Sequence, residues 1–285
     1  MKRFMDGKET YHILYENVSE FFELTDPKNP APDVCEANLK KHKDIMSGGK
    51  DDWRYGDEKS RSEYIKHRFD STKGKKLCAE ELSKVLASGE YKKLITQAIS
   101  FRKRMTFEDH GHRINVAKAI SGEDRYFTTY KNSKRPTVKI AINIGGSCSV
   151  GQEEFINVAK TAIPTIYALE MAGICTEVYY TAFTRGVFED DSIARRIHTA
   201  VKLKSAQERF NWTTFAPVFT LGAFRESLFL AWTYSPYEVE SGLGRPMSTD
   251  EIRDQDNFNY TAVIGLNAAG PVKQINELFS TLGKA

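Results

Sequence analysis

The sequence predicts an α/β protein, a doubly wound and mostly parallel sheet with a helical N-terminal extension. From about Thr137 onward, short β-branched runs alternate with segments whose apolar residues recur at helical spacing, and glycines stand at the helix stops. The first 75 residues are instead polar and punctuated, with Pro27, Pro30 and Pro32 in one loop and Gly48-Gly49 in another. The expected division is residues 1–130 as a mostly helical, polar region and residues 131–285 as the α/β domain.

In the N-terminal region, Ile13, Leu14, Val18, Phe21 and Phe22 predict a helix over residues 11–24. Leu82, Val85 and Leu86, then Tyr91, Leu94, Ile95, Ala98 and Ile99, predict two helices over residues 79–104 joined near Ser88-Gly89. The run from Ile114 to Gly122 suits either a short strand or a helical turn ended by the glycine.

In the second half, residues 137–143 read as a buried strand. A Gly/Ser loop and a helix over residues 152–172 follow, with Phe155, Val158, Ala159, Ala162, Ile163, Ile166 and Leu169 on one side, Pro164 inside and Gly173 at the stop. Residues 176–183 are the second strand. A helix is expected over residues 190–202, from Ile193, Ile197, Ala200 and Val201 and an acidic start that complements the helix dipole. Residues 215–219 suggest a third strand despite Pro217, residues 223–232 a helix, residues 260–266 a fourth strand, and Pro271 the start of a last helix ended by Gly283. Such a cadence implies parallel strands with right-handed crossovers, and ligands in such sheets bind beyond the strands' carboxyl ends. The loop after the first strand of this half, residues 143–151, is therefore the expected site.

That loop reads Asn143-Ile144-Gly145-Gly146-Ser147-Cys148-Ser149-Val150-Gly151. Strand, polar residue, small residues with paired serines and a long amphipathic helix together resemble the first βα unit of von Willebrand factor A-like domains. In that family Asp-x-Ser-x-Ser holds a divalent cation through hard oxygen ligands, suited to Mg²⁺. Here Asn143 stands at the aspartate position and Gly145 at the next ligand position; Ser147 stays in register and Ser149 serves only in a slipped loop. The amide removes the anionic ligand, so the expectation is a degenerate motif with no cofactor, Mg²⁺ being the ion it would otherwise take. The order Asp109-x-Gly111-x-x-Ile114-Asn115-Val116, Ile120-x-Gly122, Asn143 to Ser147, and Glu170-x-x-Gly173-x-x-x-Glu177-Val178 is also similar to an uncharacterised family of tailed-bacteriophage proteins, over about residues 52–185.

Other features are weighed against bland readings. Neither GxxxxGK[ST] nor GxGxxG is present, so the same loop is a weak phosphate cradle and could equally be a tight βα turn capped by Ser149. Asp109, His110 and His112 form a titratable cluster that could ligate metal or move protons, or simply be polar surface. Arg102-Lys103-Arg104, with Lys131, Lys134 and Arg135, could meet phosphates, or be the solvated end of a helix. Ser147 and Cys148 have no evident histidine and acid partners. The aromatics of residues 224–237 read as core packing, with a partner-binding patch as the sharper alternative. Cys35, Cys78, Cys148 and Cys175 are scattered without metal or disulfide spacing. A net charge of +3 identifies no partner. No apolar run approaches the ~20 residues of a membrane span, and Met1-Lys2-Arg3 is not followed by a signal-like apolar stretch.

The resulting expectation is a cytoplasmic interaction or scaffold protein, not an enzyme and not membrane-bound. It would use the loop edge of an A-like domain on a protein partner, such as an ATPase or a phage assembly component. The alternative is a nucleic-acid-binding protein or phosphate-handling enzyme using the same crevice and the basic segments at residues 102–104 and 131–135.

Overall fold

A computed structural model describes residues 1–6, 10–25, 36–46, 105–108, 113–114, 116–122, 127–130, 137–143, 152–171, 173–187, 195–211, 215, 221–239 and 260–265, with single positions between 76 and 96, residue 252 and positions between 273 and 278. Ten strands are described: β1 (Lys2–Asp6), β2 (Thr10–Tyr15), β3 (Met105–Glu108), β4 (Arg113–Ile114), β5 (Phe127–Tyr130), β6 (Thr137–Asn143), β7 (Cys175–Val187), β8 (Arg195–Lys204), β9 (Glu238–Val239) and β10 (Ala262–Ile264). The helices are α1 (Val18–Leu24), α2 (Glu36–Met46), α3 (Val116–Ile120), α4 (Gln152–Met171) and α5 (Leu221–Thr233).

The main sheet is mixed and runs β1-β2-β8-β7-β6-β10, with β9 added to the far end of β7. Along that path β10–β6, β6–β7 and β2–β8 are parallel, whereas β7–β8 and β1–β2 are antiparallel. The α/β class is as expected. A second, three-stranded antiparallel sheet, β3-β5-β4, gathers residues 105–130.

Strand β6 forms where residues 137–143 were expected to. Its seven residues are β-branched or small at the inward positions, and Val138, Ile140 and Ile142 are fully buried in the larger core. Parallel neighbours on both sides leave it no exposed edge. Helix α4 covers the same face with Phe155, Val158, Ala159, Ala162, Ile163, Ile166 and Leu169. It ends at Gly173 (φ 79°) in a Schellman motif: the Gly173 N–H donates to the Glu170 carbonyl and the Ile174 N–H to the Leu169 carbonyl, both at 2.9 Å. Leu169 and Ile174 then enter the same core, completing the cap with its usual apolar contact.

Helix α5 is buried at Leu228, Phe229, Leu230, Ala231 and Trp232, all around its circumference. The sheet lies on one side, and on the other α2 is tied to the chain just after α5 by Asn38, whose Nδ2 donates to the Ser235 and Tyr237 carbonyls. Core packing is therefore the role of this aromatic segment.

Three expectations need correction. Residues 11–24 are not one helix: residues 10–15 form β2, and a helix starts only at Val18. Tyr11, Ile13 and Tyr15 alternate into the core, while Asn17 caps α1 by accepting from the Glu20 N–H at 2.8 Å. The N-terminal segment is consequently part of the main sheet and not an extension from it. Residues 190–202 are not a helix either, since residues 195–204 form β8 in hairpin register with β7. Ile197, Val201 and Leu203 face one core, and Ala200 is buried on the opposite face, so two buried faces imitate helical spacing. Phe215 is helical, not the start of a strand; residues 216–219 lie outside the described residues. Elsewhere the two readings left open for residues 114–122 both hold in part, with β4 ending at Ile114, then α3, and Gly122 at φ 74°. The described positions between 76 and 96 are helical, broken at Ser88.

Candidate functional site

Asn143 is the last residue of β6, 6% exposed, in register with Thr181 of β7. On the other side β10 pairs in parallel through Ile264 and Ile142 and ends beside it. The chain leaves β6 through α4 to β7 on one flank and reaches β10 on the other flank only much later. The order of strands thus reverses at β6, and the carboxyl ends of β6 and β10 flank the place where ligands bind in open α/β sheets. β7 runs six residues past Thr181 to Val187, beside this rim. The Thr181 hydroxyl, fully buried on the same sheet face as Asn143, has no hydrogen-bond partner among the described residues.

Of the residues expected to carry function, Asn143 alone is described. Gly145, Ser147 and Ser149 lie outside the described residues, as do Asp109, His110, His112, Arg102, Lys103 and Arg104. Among the described residues no group of three or more His, Cys, Asp or Glu could hold a metal ion.

A different set of titratable groups was missed. His12 on β2 and His198 on β8 are direct register partners across the parallel β2–β8 pair, on the face opposite α4. Both are fully buried, and their Nδ1 atoms are 2.9 Å apart. At that separation one ring donates and the other accepts, so the two hold opposite tautomers. The row continues outward. Phe4 of β1 is the register partner of His12 and stacks on it at 4.9 Å, and Phe183 of β7 is the partner of His198 and stacks on it at 4.1 Å. Tyr260 approaches His198 edge-on at 6.5 Å. Burial, and then the proximity of His12, hold the His198 imidazole well below its usual range, so it is neutral at pH 7. Their signal in the sequence is an alternation: His12 lies between Tyr11 and Ile13, and His198 between Ile197 and Thr199, each a polar residue between residues of the opposite face.

Further along the same face, the Tyr179 hydroxyl donates to the Glu177 carboxylate, and burial followed by that carboxylate raises the phenol. Lys202 lies 5.9 Å from the Tyr179 ring and 3.2 Å from Glu16, which also meets Lys2 at 2.9 Å. Hydrogen bonds from Lys2 and then Lys202 hold the Glu16 carboxyl below the usual range. A cleft of about 310 Å³ opens beyond the carboxyl ends of β2 and β8, the opposite rim from Asn143, lined by Glu16, Asn17, Lys202, Ser205, Glu208 and Arg209 among others. Lys204 at its base is saturated, donating to the Thr176 carbonyl at 2.8 Å and the Ser205 carbonyl at 3.1 Å and pairing with Glu170 at 2.9 Å.

A family model described as a domain of unknown function (DUF7192) matches residues 5–282, nearly the whole chain. The chain belongs to that family. No curated protein and no solved structure matches it.

Proposed function

We propose that this member of the DUF7192 family is an interaction or scaffold protein that presents residues 143–151, at the edge of an A-like domain, to a protein partner. The observation that carries the reading is the place of β6: parallel strands flank it on both sides, and the strand order reverses at its carboxyl end. Four strands, β8-β7-β6-β10, stand in the chain order 3-2-1-4, the first four positions of a doubly wound sheet, with β8 turned antiparallel by its hairpin. That arrangement supports the resemblance to von Willebrand factor A-like domains. It also supports the bacteriophage kinship, whose Glu170 and Gly173 are the residues of the α4 cap. In this reading the protein works in the host cytoplasm, beside an ATPase or an assembly component. No helix among the described residues is long and apolar enough to cross a membrane.

The divalent cation of the A-like motif does not fit. The strand-end ligand is a buried amide where the motif needs a carboxylate, and the rest of the donor set, Ser147 and Ser149, is neutral. A hard dication bound by neutral oxygens alone lacks the charge compensation such sites use. No step is therefore routed through a metal.

The test is affinity capture from expressing or infected cells with the parent and with a Ser147→Ala/Ser149→Ala variant. The expected result is a defined protein retained by the parent and lost by the variant, at equal melting temperature and with no response to Mg²⁺. Equal capture by both would reject the loop as the binding edge, and retention on heparin at moderate salt would favour the nucleic-acid alternative.

A further inference from the structure

We infer that His12 and His198 form a proton-operated clasp, which fastens the N-terminal strand pair to the rest of the sheet when both rings are neutral and loosens it when they take up protons. Among the described residues, strands β1 and β2 join the sheet through β8, in the six register pairs from Thr10–Arg196 to Tyr15–Val201. The histidine pair lies inside that ladder, joining side chains 186 positions apart in the chain.

The chemistry follows from the geometry. A 2.9 Å Nδ1–Nδ1 contact needs one donor and one acceptor. One proton added to the pair keeps the bond but places a charge on a fully buried imidazole, between the rings of Phe4 and Phe183. A second proton makes both Nδ1 atoms donors and breaks the bond outright.

From β1 the pair meets the Phe4 ring, from β7 the Phe183 ring, and from the segment before β10 the Tyr260 phenol. Along β2 and β8 the next positions on the same face are Thr10 and Leu14, and Arg196 and Ala200; the Lys2, Glu16 and Lys202 cluster lies further along. Arg196, two residues from His198, is a cation and works against a second positive charge.

The sign is fixed by linkage. In the fastened state burial and the neighbouring His12 ring keep the His198 imidazole neutral below the usual histidine range, whereas in the loosened state it titrates near ~6.5. The fastened state is therefore fully favoured above about pH 6.5 and loses ground as pH falls below it, by up to about tenfold per pH unit through His198.

Amide hydrogen exchange at pH 7.5 and pH 5.5, corrected for intrinsic rates, tests the clasp. Protection of residues 10–15 should fall about tenfold on acidification in the parent, while residues 138–142 keep theirs. In a His12→Phe/His198→Phe variant that difference should vanish. Unchanged protection in the parent, or the same acid response in the variant, overturns the inference. As a second measurement on the parent alone, ¹⁵N shifts of the two imidazoles should report one Nδ1–H and one Nε2–H tautomer at pH 7.5. The same tautomer on both rings at pH 7.5 would equally overturn it.

Discussion

Replacing Lys204 with Met should destabilise the protein by about 3 kcal/mol, because the ammonium of Lys204 joins three elements at once. It is 2% exposed and holds the Thr176 carbonyl, the Ser205 carbonyl and the Glu170 carboxylate within 3.1 Å. Glu170 is 22% exposed at its side chain, and its Oε1 also accepts from the Thr176 N–H at 2.9 Å and the Thr176 hydroxyl at 2.7 Å. Breaking a buried pair by removing one partner costs about 3–5 kcal/mol, since the remaining charge is left uncompensated. The low end applies here, because Glu170 keeps two donors and some access to water. At about 2–4 °C per kcal/mol for a chain of this order of size, the melting temperature should fall by about 6–12 °C. Urea denaturation of the parent, Lys204→Met, Glu170→Gln and the double variant completes a cycle, with a coupling energy above about 1 kcal/mol expected. A Lys204→Met loss below about 1 kcal/mol, or additivity within about 0.5 kcal/mol, would refute the reasoning and make the network a surface ornament of α4, β7 and β8.

Three further outcomes follow from single sites. Ile140→Ala, at a fully buried position of β6 with parallel neighbours on both sides, should cost about 3–4 kcal/mol in urea denaturation without changing the m-value. Gly173→Ala should cost about 1–2 kcal/mol by the same assay, because a Cβ at φ 79° is strained in the left-handed region; an Asn there should recover part of the loss. Asn143→Asp restores the carboxylate of the A-like motif at a position 6% exposed, so in the absence of divalent ions the variant should melt lower than the parent. Millimolar Mg²⁺ should raise its melting temperature and leave the parent's unchanged; no response in the variant would count against the A-like reading of the loop.

The parts of the fold legible in the sequence are those where one period dominated. Residues 137–143 and 175–187 carry β-branched and aromatic side chains between loop signals, and α4 has a single apolar stripe closed by Gly173, so strand and helix could be told apart. β8 was not legible, because both its faces are covered: Ile197 and Val201 serve the larger core, Ala200 the smaller, and the mixture matches helical spacing. The N-terminal segment failed for a related reason. A strand, a two-residue break at Glu16 and Asn17, and a seven-residue helix merge into one apparent periodicity, although the cap Asn17 with Glu20 three residues on marked the true start. Of the candidate site, the sequence placed Asn143 at a strand's carboxyl end, which the sheet order makes the point where the strand order reverses. It could not pair His12 with His198, because register between strands 186 residues apart depends on a topology that local pattern does not specify.

The rim and the clasp share one strand. Thr181 is the register partner of Asn143, and Phe183, two residues further along β7 and on the same face, is the ring that stacks on His198. At a rise of about 3.3 Å per residue those two side chains stand about 7 Å apart on one continuous backbone. Protons taken up by the histidine pair would therefore be felt on the strand that pairs with Asn143, and not only on the distant edge formed by β1. If the loop edge binds its partner and the clasp is proton-operated, capture should weaken between pH 7.5 and pH 5.5 in the parent and stay level in the His12→Phe/His198→Phe variant. Capture that fell equally in both would separate the two sites, leaving the clasp as a local fastening of the N-terminal strands with no influence on binding.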